Sequence, residues 1–304
     1  MKRCDYCGQE TGDELALCPG CGTALPESLP EIQPVPPLIW SGNPPPVIAL
    51  PKRLGARAAT YILLGYLGAQ VAAGIGVAVV GGAITLLQGG STHDPEFAAR
   101  LTQRMMAPIA VLSLVGSGIT VLFMSLRLVR ERLRDRSSVG AAWAVGTAGE
   151  LAQGLVLGLL VAVGYAAFAA LFGPHAPDAK MGPLAKMSVT PGWPQLLWIV
   201  AALVLAPPVE ELLFRGVLYG GYRQSFGPIW AALLTTAIFV LLHLTETIYF
   251  LPSILGITAL ALTALWIRLR FAAVGPAVAV HVGYNAVIAA AVLTYTLSNG
   301  GTPP

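Results

Sequence analysis

The chain has 304 residues, of which 55% are hydrophobic and only 11% charged, and its mean hydropathy is +0.70. A soluble globular domain carries nearer 25% charged residues, so this composition predicts an all-α, polytopic membrane helix bundle with a small soluble appendage. The net charge of +3 is too small to suggest nucleic acid as a partner, and no basic stripe with interleaved aromatics occurs.

Residues 1–23 hold all four cysteines, spaced Cys4-x2-Cys7-x10-Cys18-x2-Cys21. Two CxxC knuckles at this spacing predict a tetrahedral thiolate zinc site. The glycines after Cys7 and Cys21 suit the tight turns of such knuckles. The competing reading is two disulfides in an exported segment. The polar, cysteine-rich start does not resemble a secretory signal, and zinc thiolates belong to a reducing compartment. So short a segment has no room for a hydrophobic core, so a structural zinc is expected to supply its fold. The partner of this zinc ribbon is unknown.

Residues 24–51 follow as a proline-rich linker, from Pro26 to Pro51, favouring extended chain over helix. Seven apolar segments come next, near 58–87, 107–126, 151–172, 195–222, 228–245, 249–267 and 274–297. Each approaches the roughly 20 residues that a membrane span requires, the sixth least comfortably. Residues 52–193 form an N-terminal group of transmembrane helices, and 194–297 a core that carries the polar motifs. The stretch 137–150, with Trp143 and Glu150, reads as an interfacial helix or an early extension of the third span. The first span contains Gly74, Gly76, Gly81 and Gly82, read as helix-packing positions. Lys52, Arg53 and Arg57 precede the first span, and five arginines from Arg127 to Arg136 follow the second. Arg223, Arg268 and Arg270 lie on the same side. This pattern predicts a multi-pass protein of the cell (cytoplasmic) membrane with a cytoplasmic N-terminus.

Polar residues inside such spans are costly and mark functional sites. Pro207-Pro208-Val209-Glu210-Glu211-Leu212-Leu213-Phe214-Arg215 puts two carboxylates and an arginine into one apolar segment. On a helix Glu211 and Arg215 are i,i+4 neighbours and brace each other. Glu210 points about 100° away from Glu211 and keeps a free carboxylate. His243 ends the fifth segment, and His281 and Asn285 share one face of the seventh. Gly283, between them, permits close backbone approach. Counting about 1.5 Å per helical residue, Glu210 lies about 20 Å from Arg223, His243 about 21 Å beyond the start of its span at Ile229, and His281 and Asn285 about 16 and 22 Å beyond Arg270. Peptide hydrolysis needs a base for water, a donor for the oxyanion and an acid for the amine, and these residue types can supply them.

Glu-Glu-x-x-x-Arg, Phe-x-x-x-His and His-x-x-x-Asn, in this order on successive helices, resemble the CPBP family of intramembrane proteases. That family includes the type II CAAX prenyl endopeptidases and bacterial Abi-type proteins. The resemblance covers about residues 194–294. It implies an intramembrane endopeptidase in which Glu210 is the catalytic base and His243 holds the water. It further implies that His281 and Asn285 form the oxyanion hole and that Glu211 and Arg215 support the site. The partners it implies are membrane lipid and a peptide or protein substrate, with CAAX-type processing among the reactions it covers, and no nucleic acid. An active-site metal is not expected, since no His-Glu-x-x-His helix occurs, although Glu210, His243 and His281 are the residues that would bind one. Two other classes compete. One is a catalytically silent scaffold or immunity protein of the same fold, against which the intact motif set argues. The other is a transporter, for which no inverted repeat is evident.

Overall fold

The computed structural model describes residues 2–4, 7–12, 15, 17–21, 23, 55–87, 95–129, 144–172 and 181–299, and side chains for all of these except 2, 95–104 and 128–129. The proline linker, His93, His175, Trp143 and the arginines from 130 to 136 lie outside the described residues. The chain forms two compact units, Met1–Lys52 and Arg53–Pro304.

In the first unit, β1 (Lys2–Arg3) pairs antiparallel with β2 (Glu10–Thr11), with Lys2 opposite Thr11 and Arg3 opposite Glu10. The turn between them closes through Gly8 N–H to Cys4 O at 2.8 Å and Cys4 N–H to Gln9 O at 2.9 Å. Gly8 sits at φ +77°, the left-handed conformation that its place after Cys7 requires.

The second unit is helical: α1 (Ala56–Leu87), α2 (Pro95–Val129), α3 (Ala148–Phe172), α4 (Pro183–Val189), α5 (Trp193–Phe226), α6 (Pro228–Leu242), α7 (Leu244–Tyr249), α8 (Ser253–Phe271) and α9 (Gly275–Ser298). Among the described residues, six helices are long and apolar enough to cross a membrane: α1, α3, α5, α8, α9 and Met105–Arg127 of α2. The expected seventh, over 228–245, is the 15-residue α6, shorter than the others. It stops where His243 leaves the helix at φ −99°, ψ 19°, a backbone conformation common at functional sites. Within 137–150, residues 144–147 have no regular secondary structure and α3 begins at Ala148. A reciprocal capping box starts it: Thr147 N–H donates to Glu150 Oε2 at 2.7 Å, and Glu150 N–H to Thr147 Oγ1 at 3.3 Å.

Helix α1 packs along α2, and α9 along α3, while α5 meets α1, α2, α6, α8 and α9. The shared core contains Phe214, Leu213 and Leu218 of α5, Phe239 of α6, Ile267 of α8 and Val280 of α9. Phe214 and Phe239 meet edge to face at 5.1 Å. Without a hydrophobic drive between helices in lipid, small residues let backbones approach, and α3–α9 uses them. A Cβ on Gly154 would strike the carbonyl oxygen of Pro276, and one on Gly158 that of Val280. Gly283 faces the Leu155 carbonyl in the same way, as its position between His281 and Asn285 suggests. Of the first-span glycines expected to pack, Gly81 is buried, whereas added Cβ atoms at Gly74, Gly76 and Gly82 would meet nothing within 4 Å. These three positions are open because α1 keeps much of its outer length free, with Val71, Ile75 and Val79 exposed.

Candidate active site and metal centre

Helix α5 carries the acidic pair, and its backbone is irregular on both sides of it. Ala201–Leu205 and Leu212–Leu218 are π-helical turns, flanking the α-helical Ala206–Glu211. Such turns concentrate at functional sites because each rotates the side chains beyond it. Pro207 and Pro208 add a second irregularity by removing two main-chain donors.

Glu211 is fully buried, and Glu210 and Arg215 are nearly so. Arg215 Nη1 donates to Glu211 Oε1 at 3.1 Å, and Nη2 to the Ala261 carbonyl of α8 at 2.8 Å. In return, Arg268 of α8 donates from Nε to the Arg215 carbonyl at 3.2 Å. The Arg215 guanidinium also lies over the Phe239 ring, 4.6 Å from its centroid, a favourable cation–π placement.

Both histidines are held through Nδ1. His243 Nδ1 donates to the Phe239 carbonyl at 2.8 Å, and His281 Nδ1 to Glu211 Oε1 at 2.9 Å. A carbonyl or carboxylate only accepts, so Nδ1 carries the hydrogen in both rings and Nε2 points to the opposite side. His243 Nε2 stands 3.9 Å from Glu210 Oε2. That oxygen is buried without a hydrogen-bond partner among the described residues. The His243 side chain is 27% exposed and that of Glu210 10%, so the pair opens on the histidine's side. Asn285, half-buried, donates from Nδ2 to the Ala202 carbonyl at 2.7 Å.

The structure thus brings Glu210 to His243, and Glu211 to both Arg215 and His281, while the Asn285 amide engages the backbone of α5. Ala261 and Ala202 were not singled out in the sequence, and Arg268 was read there only as a charge flanking a span. Phe239 is the first residue of the Phe-x-x-x-His motif, and its spacing from His243 is the signal for the carbonyl contact.

Residues 191–287 match the Rce1-like family, described as type II CAAX prenyl endopeptidase Rce1-like. The resemblance drawn from the three motifs is borne out over these residues. The Rce1-like segment holds Glu210, Glu211, Arg215, His243, His281 and Asn285. It covers about a third of the chain, leaving the ribbon, the linker, α1–α4 and the end of α9 outside. At the level of family it supports an intramembrane protease of the CAAX-processing type. With the six apolar helices it makes the chain a multi-pass membrane protein. No curated protein and no solved structure matches the chain.

In the first unit, the Sγ atoms of Cys4, Cys7, Cys18 and Cys21 all lie within 4.8 Å of one another, with Cys4–Cys21 and Cys7–Cys18 at 3.5 Å. A zinc with Zn–S bonds of about 2.3 Å sets its four sulfurs about 3.8 Å apart, so the cluster fits a tetrahedral ion. Burial pushes the Cys21 thiol up, but hydrogen bonds from Thr23, side chain and backbone, and from Cys7 and Cys4 bring it down to about 6. The Gln9 backbone lowers the Cys7 thiol, while burial and hydrogen bonds with Cys18, Cys21 and Cys4 push it up to about 12.

Proposed function

We propose that α5, α6 and α9 form an intramembrane endopeptidase site in which Glu210 activates water for attack on a peptide bond. The observation that carries this reading is the 3.9 Å gap between Glu210 Oε2 and His243 Nε2. Both atoms are acceptors in the carboxylate and Nδ1–H states, so they do not bond each other. One water between them donates a hydrogen to each and leaves its oxygen lone pair for the carbonyl carbon.

The steps then balance. Water passes a proton to Glu210 as its oxygen joins the carbonyl carbon, and the carbonyl oxygen becomes an anion. The remaining N–H of Asn285 donates to that anion, and Nε2 of His281 faces it as the second member of the oxyanion hole. Protonated Glu210 returns its proton to the leaving nitrogen as the C–N bond breaks. Glu211 and Arg215 hold His281 and the helix pair in place. The substrate class that the family description names is a prenylated protein ending in a CAAX sequence. The ribbon binds one zinc as its structural centre. The protein sits in the cytoplasmic membrane with its N-terminus inside.

The test compares peptide termini in membranes carrying the wild type or Glu210→Ala at equal levels. New carboxyl termini present only with the wild type support the reading. Identical termini in both would assign this fold to a catalytically silent scaffold.

A further inference from the structure

Ala202 lies in the first π turn of α5, and its carbonyl has lost its main-chain donor for two separate reasons. The Ala206 N–H, its partner in an α-helix, reaches one residue further back, to Ala201 O. The π register would then assign Ala202 O to the nitrogen of residue 207, which is proline and has no hydrogen. A carbonyl left unpaired inside a membrane bundle is costly, so it needs a donor from elsewhere. Asn285 Nδ2 supplies it at 2.7 Å from α9.

We infer that Asn285 is a positioning residue for Glu210, acting through the Ala202 carbonyl to fix the π turn that enters the Pro207–Glu211 segment. The inference rests on the endopeptidase reading and adds a second duty for the asparagine, since its amide has two hydrogens and only one goes to Ala202. The π turn sets the rotation of everything after it, and Glu210 lies eight residues beyond Ala202, near two helical turns. Releasing the turn swings the carboxylate relative to His243, and their 3.9 Å separation tolerates little movement.

Pro207→Ala gives an independent handle. It restores a main-chain N–H at position 207, which donates to Ala202 O if the π turn persists. If the turn relaxes to an α-helix, the Ala206 N–H does so instead. In either case Ala202 O no longer depends on Asn285. The experiment is a double-mutant cycle on the full-length protein with Asn285→Ala, Pro207→Ala and both together. It reads the thermal midpoint and the turnover of an internally quenched farnesylated CAAX peptide. In the wild-type background Asn285→Ala lowers kcat at least tenfold with KM little changed, and lowers the midpoint. In the Pro207→Ala background the same change costs at least threefold less in kcat than in the wild type, the remaining loss being that of the oxyanion donor, and shifts the midpoint clearly less. Equal losses in both backgrounds would overturn the inference, leaving Asn285 to act on the substrate alone. Glu210→Gln is the control on the underlying reading. If it cleaves like wild type, the endopeptidase site is elsewhere. The midpoint cycle, which needs no substrate, then still decides whether Asn285 and Pro207 are coupled.

Discussion

His281 Nδ1 and Arg215 Nη1 converge on one oxygen, Glu211 Oε1, at 2.9 and 3.1 Å. Glu211 therefore joins the helix that carries the acidic pair to the helix that carries His281 and Asn285. The i,i+4 spacing alone predicts a brace for Arg215; the contact across to α9 makes the same carboxylate orient a site residue.

Glu211→Ala removes both functions at once. It leaves Arg215 buried without its counter-charge, a change that costs about 3–5 kcal/mol. It also frees the His281 ring to turn. The expected result is a reduced yield of folded protein, a lower thermal midpoint and reduced turnover in the fraction that folds. A variant that accumulates, melts and cleaves like wild type would contradict the brace.

Glu210→Gln is nearly isosteric and removes only the basic oxygen. Glu210 Oε2 has no protein partner among the described residues, so folding should be untouched. Turnover of the quenched peptide by purified protein should fall at least about a hundredfold, the usual scale for a general base. Wild-type turnover would remove Glu210 from the chemistry.

The membrane class, the helical bundle, the cysteine knuckles and the polar motifs were legible in the sequence because each depends on local pattern. Hydropathy marks a helix that must satisfy its own backbone in lipid, and CxxC spacing is set by one ion's geometry. The motif residues stand out because charge in an apolar segment is expensive. What the sequence did not show depends on backbone register or on approach between distant helices. The π turns around Glu210 shift by one residue which groups meet, and no side-chain pattern records that. Pro207 and Pro208 signalled an irregular helix without saying which carbonyl would be orphaned or that Asn285 would take it. The end of α6 at His243 was hidden because Leu244 continues the apolar run. The glycines show both outcomes. Gly283 lies against the Leu155 carbonyl, whereas Gly74, Gly76 and Gly82 face open space, and composition does not separate the two.

The α3–α9 contact gives a prediction outside the Rce1-like segment. Gly158 meets the Val280 carbonyl, one residue before His281. Gly158→Leu puts a side chain against backbone, which cannot rotate away. Overpacking of this kind costs about 1–3 kcal/mol where side chains can adjust, and rigid backbone places this site at the upper end. The variant should melt earlier and lose turnover, because α9 is pushed from the helix that carries Glu210. Gly74→Leu, into open space on α1, should change neither; a larger effect there than at Gly158 would refute the packing argument.

The last prediction concerns metal. Glu210, His243 and His281 together resemble a catalytic zinc set of two histidines and a glutamate. Each histidine is held through Nδ1 by an oxygen acceptor and leaves Nε2 free, the outer-shell pattern that zinc ligands also show. Against this, among the described residues the four cysteines are the group of three or more His, Cys, Asp or Glu ligand atoms that converge closely enough for an ion. In the helical unit, the histidines divide between two carboxylates, His243 near Glu210 and His281 on Glu211. We propose one zinc in the ribbon and a metal-free water in the bundle. Full-length wild type should then contain one zinc per chain. The Cys4→Ser/Cys18→Ser double variant should contain none, since two of the four thiolates are gone. It should remain inserted in the membrane, because six helices of the second unit are by themselves long and apolar enough to cross it. Its turnover should survive a strong chelator. Two zincs in the wild type and one in the double variant, with activity lost on chelation and restored by added zinc, would replace the glutamate–water reading with a metal-activated water. Zinc content unchanged by the double substitution would refute the ribbon itself.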